Sequence, residues 1–73
     1  MKQIDLHGKR LKEAEEIFHT LLNQTRMTGK NQETLFITGT GPIQEMLKKL
    51  AKEQELNAYV PMANRGCIVV EFE

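Results

Sequence analysis

With 73 residues, ten basic and ten acidic side chains and a formal net charge of zero, the chain has no global field to draw it onto nucleic acid or an acidic membrane. Its composition, 40% hydrophobic and 27% charged, excludes a disordered chain, and no apolar run approaches the ~20 residues of a membrane span. Length limits it to one domain, residues 1–73, and a domain this small buries only roughly 60% of its unfolded surface. No signal peptide is visible, and the single Cys67 cannot form an internal disulfide. These features predict a cytoplasmic monomer in which Cys67 is a small core residue and any polyanion site is local.

Lys2 to Leu6 alternates polar and apolar, with Ile4 and Leu6 on one side and Gln3, Asp5 and then His7 on the other, which predicts a short strand ending at Gly8. From Leu11 the period changes to three and four. Leu11, Ala14, Ile17, Phe18, Leu21, Leu22 and Thr25 share one helical stripe, so a first helix is predicted to about Met27, closed by Gly29. His19 falls on its solvated face with Lys12, Glu16, Asn23 and Arg26.

Glu33 to Thr38 reads as an interior strand. The loop "GTG" follows, and Pro42 suits the first position of a second helix while biasing Gly41 toward an extended N-cap. Ile43, Met46, Leu47, Leu50 and Ala51 form that helix's apolar stripe, opposite Glu45, Lys48, Lys49 and Lys52. "NAYVP" predicts a short strand. "CIVVEF" predicts a longer one, with Ile68, Val70 and Phe72 on one face and Val69 and Glu71 on the other. The order βαβαββ argues for a two-layer α/β sandwich, a mixed four-stranded sheet with both helices on one face and the other face open. Of the few aromatics, Phe36 suits the core, whereas Tyr59 suits either the core or a stacking surface for bases.

Three stretches carry chemistry. In "IDLHG", a carboxylate and an imidazole two residues apart on a strand stand side by side, so Asp5 can orient His7 for proton transfer; local hydrogen bonding at a turn is the plainer reading. In "TGTGP", glycines one residue apart before a helix let main-chain amides approach an anion, and a tight turn explains them equally well. "NRG", residues 64–66, is first a turn, from which Arg65 reaches outward as a bidentate phosphate donor. Lys9 and Arg10 add a basic rim beside Asp5 and His7.

Taken in order, "IDLHG" before one helix, "ITGTG" before a second and "NRGCIVVEF" as the last strand resemble the Smr (small MutS-related) domain. In that family an L-D-x-H-G segment, an H/T-G-x-G loop and a glycine opening the final strand recur at similar separations. The resemblance covers essentially the whole chain. It implies a fold similar to the carboxyl-terminal domain of translation initiation factor three and a role on nucleic acid, since family members bind or nick DNA and several cleave RNA, including messenger RNA on stalled ribosomes. Asp5 and His7 match the family's Asp-x-His and become the implied catalytic residues. Thr38, Gly39 and Gly41 match the central loop and Gly66 the final glycine, and with Thr40, Asn64, Arg65, Lys9 and Arg10 they form the implied phosphate-binding set. Thr38 stands where many members carry a second histidine, and Arg10 where a capping Ser or Thr is common.

The reading that results is an endonuclease on RNA or structured DNA. No metal is required if a 2′-hydroxyl is the nucleophile. Mg2+ held by Asp5 is the second route, and a non-catalytic module that grips nucleic acid, a ribosome or a protein is the rival.

Overall fold

In the computed structural model, which describes residues 1–73, the chain runs β1 (Lys2–Asp5), α1 (Leu11–Thr28), β2 (Gln32–Ile37), α2 (Pro42–Glu53), β3 (Asn57–Tyr59) and β4 (Cys67–Phe72). The βαβαββ order and the two-layer α/β sandwich are those expected. The sheet order is β1-β2-β4-β3, with β1 parallel to β2 and β4 antiparallel to both its neighbours. No helix is long and apolar enough to cross a membrane.

Helix α1 starts without a Ser, Thr, Asp or Asn cap. An arginine side chain has no acceptor to offer the first amides, so Arg10 cannot replace one. The helix uses the other half of a capping box: the Glu13 carboxylate accepts the Arg10 main-chain N–H at 3.0 Å, close to the positive end of the helix dipole. At the far end Gly29 adopts φ 69°, and its N–H donates to the Thr25 carbonyl at 2.8 Å. The stripe is buried at Ala14, Phe18, Leu21, Leu22 and Thr25, but Leu11 remains 46% exposed. His19, expected on the solvated face, is half-buried with its ring edge-on to Phe18 at 5.5 Å.

Pro42 opens α2 as expected, but Gly41 before it does not take an ordinary extended cap. Its φ of 148° and ψ of −151° are the mirror image of a strand, a conformation open essentially only to glycine. The other end closes in a Schellman motif, in which Glu55 donates to the Lys52 carbonyl at 3.1 Å and Leu56 to that of Ala51 at 2.8 Å. Glu55 holds the left-handed position there at φ 57°, where glycine is usual.

The buried residues of both helices join those of one sheet face in a single cluster, so both helices cover the same side. Ile68, Val70 and Phe72 of β4 and Phe36 of β2 face them, each such burial contributing about 1.5–3 kcal/mol. Phe72 lies 5.2 Å from Phe18 and 6.2 Å from Phe36, centroid to centroid, and ties α1 to the two central strands. Thr34 points into this core with its hydroxyl buried and unbonded.

The other face carries no helix. Register places three cross-strand rows on it: Glu33, Glu71 and Asn57; Gln3, Leu35, Val69 and Tyr59; and Asp5, Ile37 and Cys67. Val69 and Cys67 are nonetheless only 2% exposed. Cys67 is thus buried as expected, but on the side away from the main core.

Candidate functional site

Parallel β1 and β2 end, and antiparallel β4 begins, at one edge of the sheet, where Asp5, Ile37 and Cys67 form the last paired row. Everything sequence reasoning singled out therefore leaves the sheet at the same place. Loops beyond the carboxyl ends of parallel strands are where α/β sheets commonly build their sites. Ladder-like bonds continue past the strands and knit the loops together. Leu6 N–H donates to the Ile37 carbonyl at 2.8 Å, and Thr38 and Gly39 N–H both donate to the Gly66 carbonyl, at 2.9 and 2.8 Å.

His7 stands at the first central position of a turn closed by the Lys9 N–H to the Leu6 carbonyl at 3.0 Å. Gly8, at φ 84°, supplies the positive φ that a type II turn needs at its second central position. The Asp5 carboxylate accepts the His7 main-chain N–H at 2.9 Å. It thus orients the histidine through the backbone; the side-by-side pairing of acid and ring expected from the strand alternation is not made, because the chain leaves the strand at Leu6 and turns. The imidazole is exposed and makes no hydrogen bond within the chain. Its Cδ2 lies 3.5 Å from where a Cβ on Gly39 would stand, so the ring sits beside the central loop.

The central loop divides into a structural and an open half. Thr38 is 7% exposed; its hydroxyl donates toward the Gly39 and Gly66 carbonyls at 2.7 and 3.3 Å. Its amide and that of Gly39 are also engaged, so neither donates to a phosphate as the resemblance implied. Thr40, Gly41, Ile43 and Gln44 have main-chain amides without a partner in the chain. They occupy the positive end of the α2 dipole, where an anion is stabilised by about 0.3–1 kcal/mol at an exposed site.

Asn64 and Gly66 belong to the scaffold: Asn64 Oδ1 accepts the Gly66 N–H at 3.1 Å. Lys9, Arg10 and Arg65 are exposed, and the chain's one ion pair, Lys48–Glu45, involves none of them. Three cations therefore face solvent around His7 and the open amides.

Sequence reasoning missed Gln44. Its side chain is 6% exposed, and Nε2 donates to the Arg65 carbonyl at 2.8 Å and the Cys67 carbonyl at 3.0 Å, bracing α2 against the turn that carries Arg65. The signal was a polar residue three and seven positions before Leu47 and Ala51, on the buried stripe. Gln44→Leu leaves two carbonyls without their donor and is expected to cost about 2–4 kcal/mol, read as a lower urea midpoint with an unchanged slope.

No three His, Cys, Asp or Glu side chains gather so as to hold a metal ion. The carboxylates of Asp5 and Glu13, which flank the His7 turn in sequence, each already accept a main-chain N–H. A magnesium ion takes several oxygens in near-octahedral geometry, and this donor set does not suit one. Compared with models of known protein families and with curated proteins, the chain matches none.

Proposed function

We propose that the chain is an Smr-like domain that binds nucleic acid at this loop edge and cleaves RNA or structured DNA, with His7 as the group that moves the proton. The observation that carries this reading is the meeting, at one edge, of an imidazole free of internal hydrogen bonds, the unbonded amides of Thr40 and Gly41, and three unpaired cations. On RNA, His7 accepts the proton of the 2′-hydroxyl as its oxygen attacks phosphorus. The 5′-oxygen leaves and takes a proton from solvent or imidazolium, and a 2′,3′-cyclic phosphate remains. Lys9, Arg10 and Arg65 and the loop amides neutralise the charge that develops on the phosphate oxygens. Asp5 is a positioning residue, holding the main chain of His7.

A second reading is favoured by one feature. Thr38, at the position of the family's frequent second histidine, is buried in the scaffold, so that position offers His7 no second imidazole. On that reading the edge grips phosphates without cutting them.

The deciding experiment incubates the protein with end-labelled single-stranded RNA, stem-loop RNA and nicked or branched DNA, with EDTA or magnesium. RNA fragments bearing cyclic phosphate ends that survive EDTA are expected. Retarded but intact substrate, with a log-log salt slope of about −2 for three contacted phosphates on single strands, would move the assignment to the binding module. Neither retardation nor cleavage would remove nucleic acid from both.

A further inference from the structure

We propose that the helix-free face of the sheet docks a cationic, apolar segment of a protein partner. This does not rest on the nuclease reading. Across the middle of the face runs an apolar row, Leu35, Val69 and Tyr59, continued by Ile37; Val69 at its centre is covered, Leu35 is half-buried, and the surface it offers is that of Tyr59, 49% exposed, and Ile37, 36%.

What frames the row decides the kind of partner. Asp5, Glu33 and Glu71 project from this face, and none of its residues is a lysine or arginine. Glu33 and Glu71 are direct partners across β2 and β4, and like charges directly opposite in a ladder oppose folding. The chain has ten basic residues, yet its one ion pair is Lys48–Glu45 on α2, so neither carboxylate is held in an ion pair. A repulsion left uncompensated inside the molecule, beside exposed apolar surface, is relieved by a cation from outside it. Phosphates are repelled by such a surface. A second copy stacked face to face would bring the same carboxylates against one another, so the complementary occupant has lysine or arginine flanking apolar side chains.

The test titrates isotope-labelled protein with a synthetic peptide of alternating lysine and leucine, and follows main-chain amide shifts by NMR. Controls replace lysine with glutamate or leucine with serine. Shifts centred on residues 33–37, 57–59 and 69–71 are expected, with weaker binding of both controls. Glu71→Lys is the decisive variant because its two effects have opposite sign. It converts a like-charge pair into an opposite-charge one, so the melting temperature should rise by about 2–4 °C while peptide affinity falls about tenfold. Equal binding of the glutamate peptide, shifts confined to the helices or the His7 loop, or undiminished affinity of Glu71→Lys would overturn the proposal. So would sedimentation showing a dimer that Glu71→Lys disrupts, which would assign the face to a second copy, or RNA shifting these same residues.

Discussion

Replacing His7 with alanine should lower the rate of the proposed phosphodiester cleavage by about 10²–10⁴-fold, the range general acid–base groups contribute, while leaving the fold intact. The two effects separate because the parts of His7 that hold structure are main chain. Its N–H bond to Asp5 and its place in the turn survive truncation, and the ring is exposed. Initial rates at saturating substrate, beside a thermal melt, make the measurement. An unchanged rate would remove His7 from proton transfer, and a lost melt would make the comparison one of folding. Asp5→Asn sharpens it. An amide oxygen accepts the His7 N–H as a carboxylate does, so a positioning role predicts a rate close to wild type for Asp5→Asn and a loss for Asp5→Ala.

The second large effect is on stability. Phe72→Ala should cost about 3–5 kcal/mol, seen as a fall in the urea midpoint, because Phe72 is fully buried and its ring packs on both Phe18 and Phe36. At about 0.05–0.15 kcal/mol per residue, the whole domain commands on the order of 4–11 kcal/mol. One truncation therefore removes a large part of the margin. A cost under about 1 kcal/mol would mean that neighbouring side chains collapse into the space.

The fold was legible because its signals are local. Alternation marked β1 and β4, three-and-four spacing marked α1 and α2, and Gly29 and Pro42 marked helix ends within a residue or two of where they fall. The candidate site was legible as a set of residues, because the motifs stand at element boundaries and the topology gathers those boundaries at one edge. Its hydrogen bonding was not. That Asp5 holds the His7 amide, that Thr38 and the Gly39 amide serve the Gly66 carbonyl, and that Gln44 braces the Arg65 turn all depend on where loops distant in sequence meet. The opposition of Glu33 and Glu71 was hidden for the same reason. It is a matter of register between strands 38 positions apart, and register is fixed by the whole sheet.

The strand made last, β4, lies between β2 and β3, and this bears on how the domain comes into being. Until Cys67–Phe72 emerge during synthesis, β3 has nothing to pair with, β2 has one open edge, and the rings of Phe18 and Phe36 lack the third that joins them. The nascent chain can form its helices early, since they close through near neighbours, but only the β1–β2 pair of the sheet is open to it before β4 arrives to join the rest. A chain in which "TLFI" has left the ribosome but Cys67–Phe72 have not carries that apolar strand with one unpaired edge, the condition in which association with other chains competes with folding.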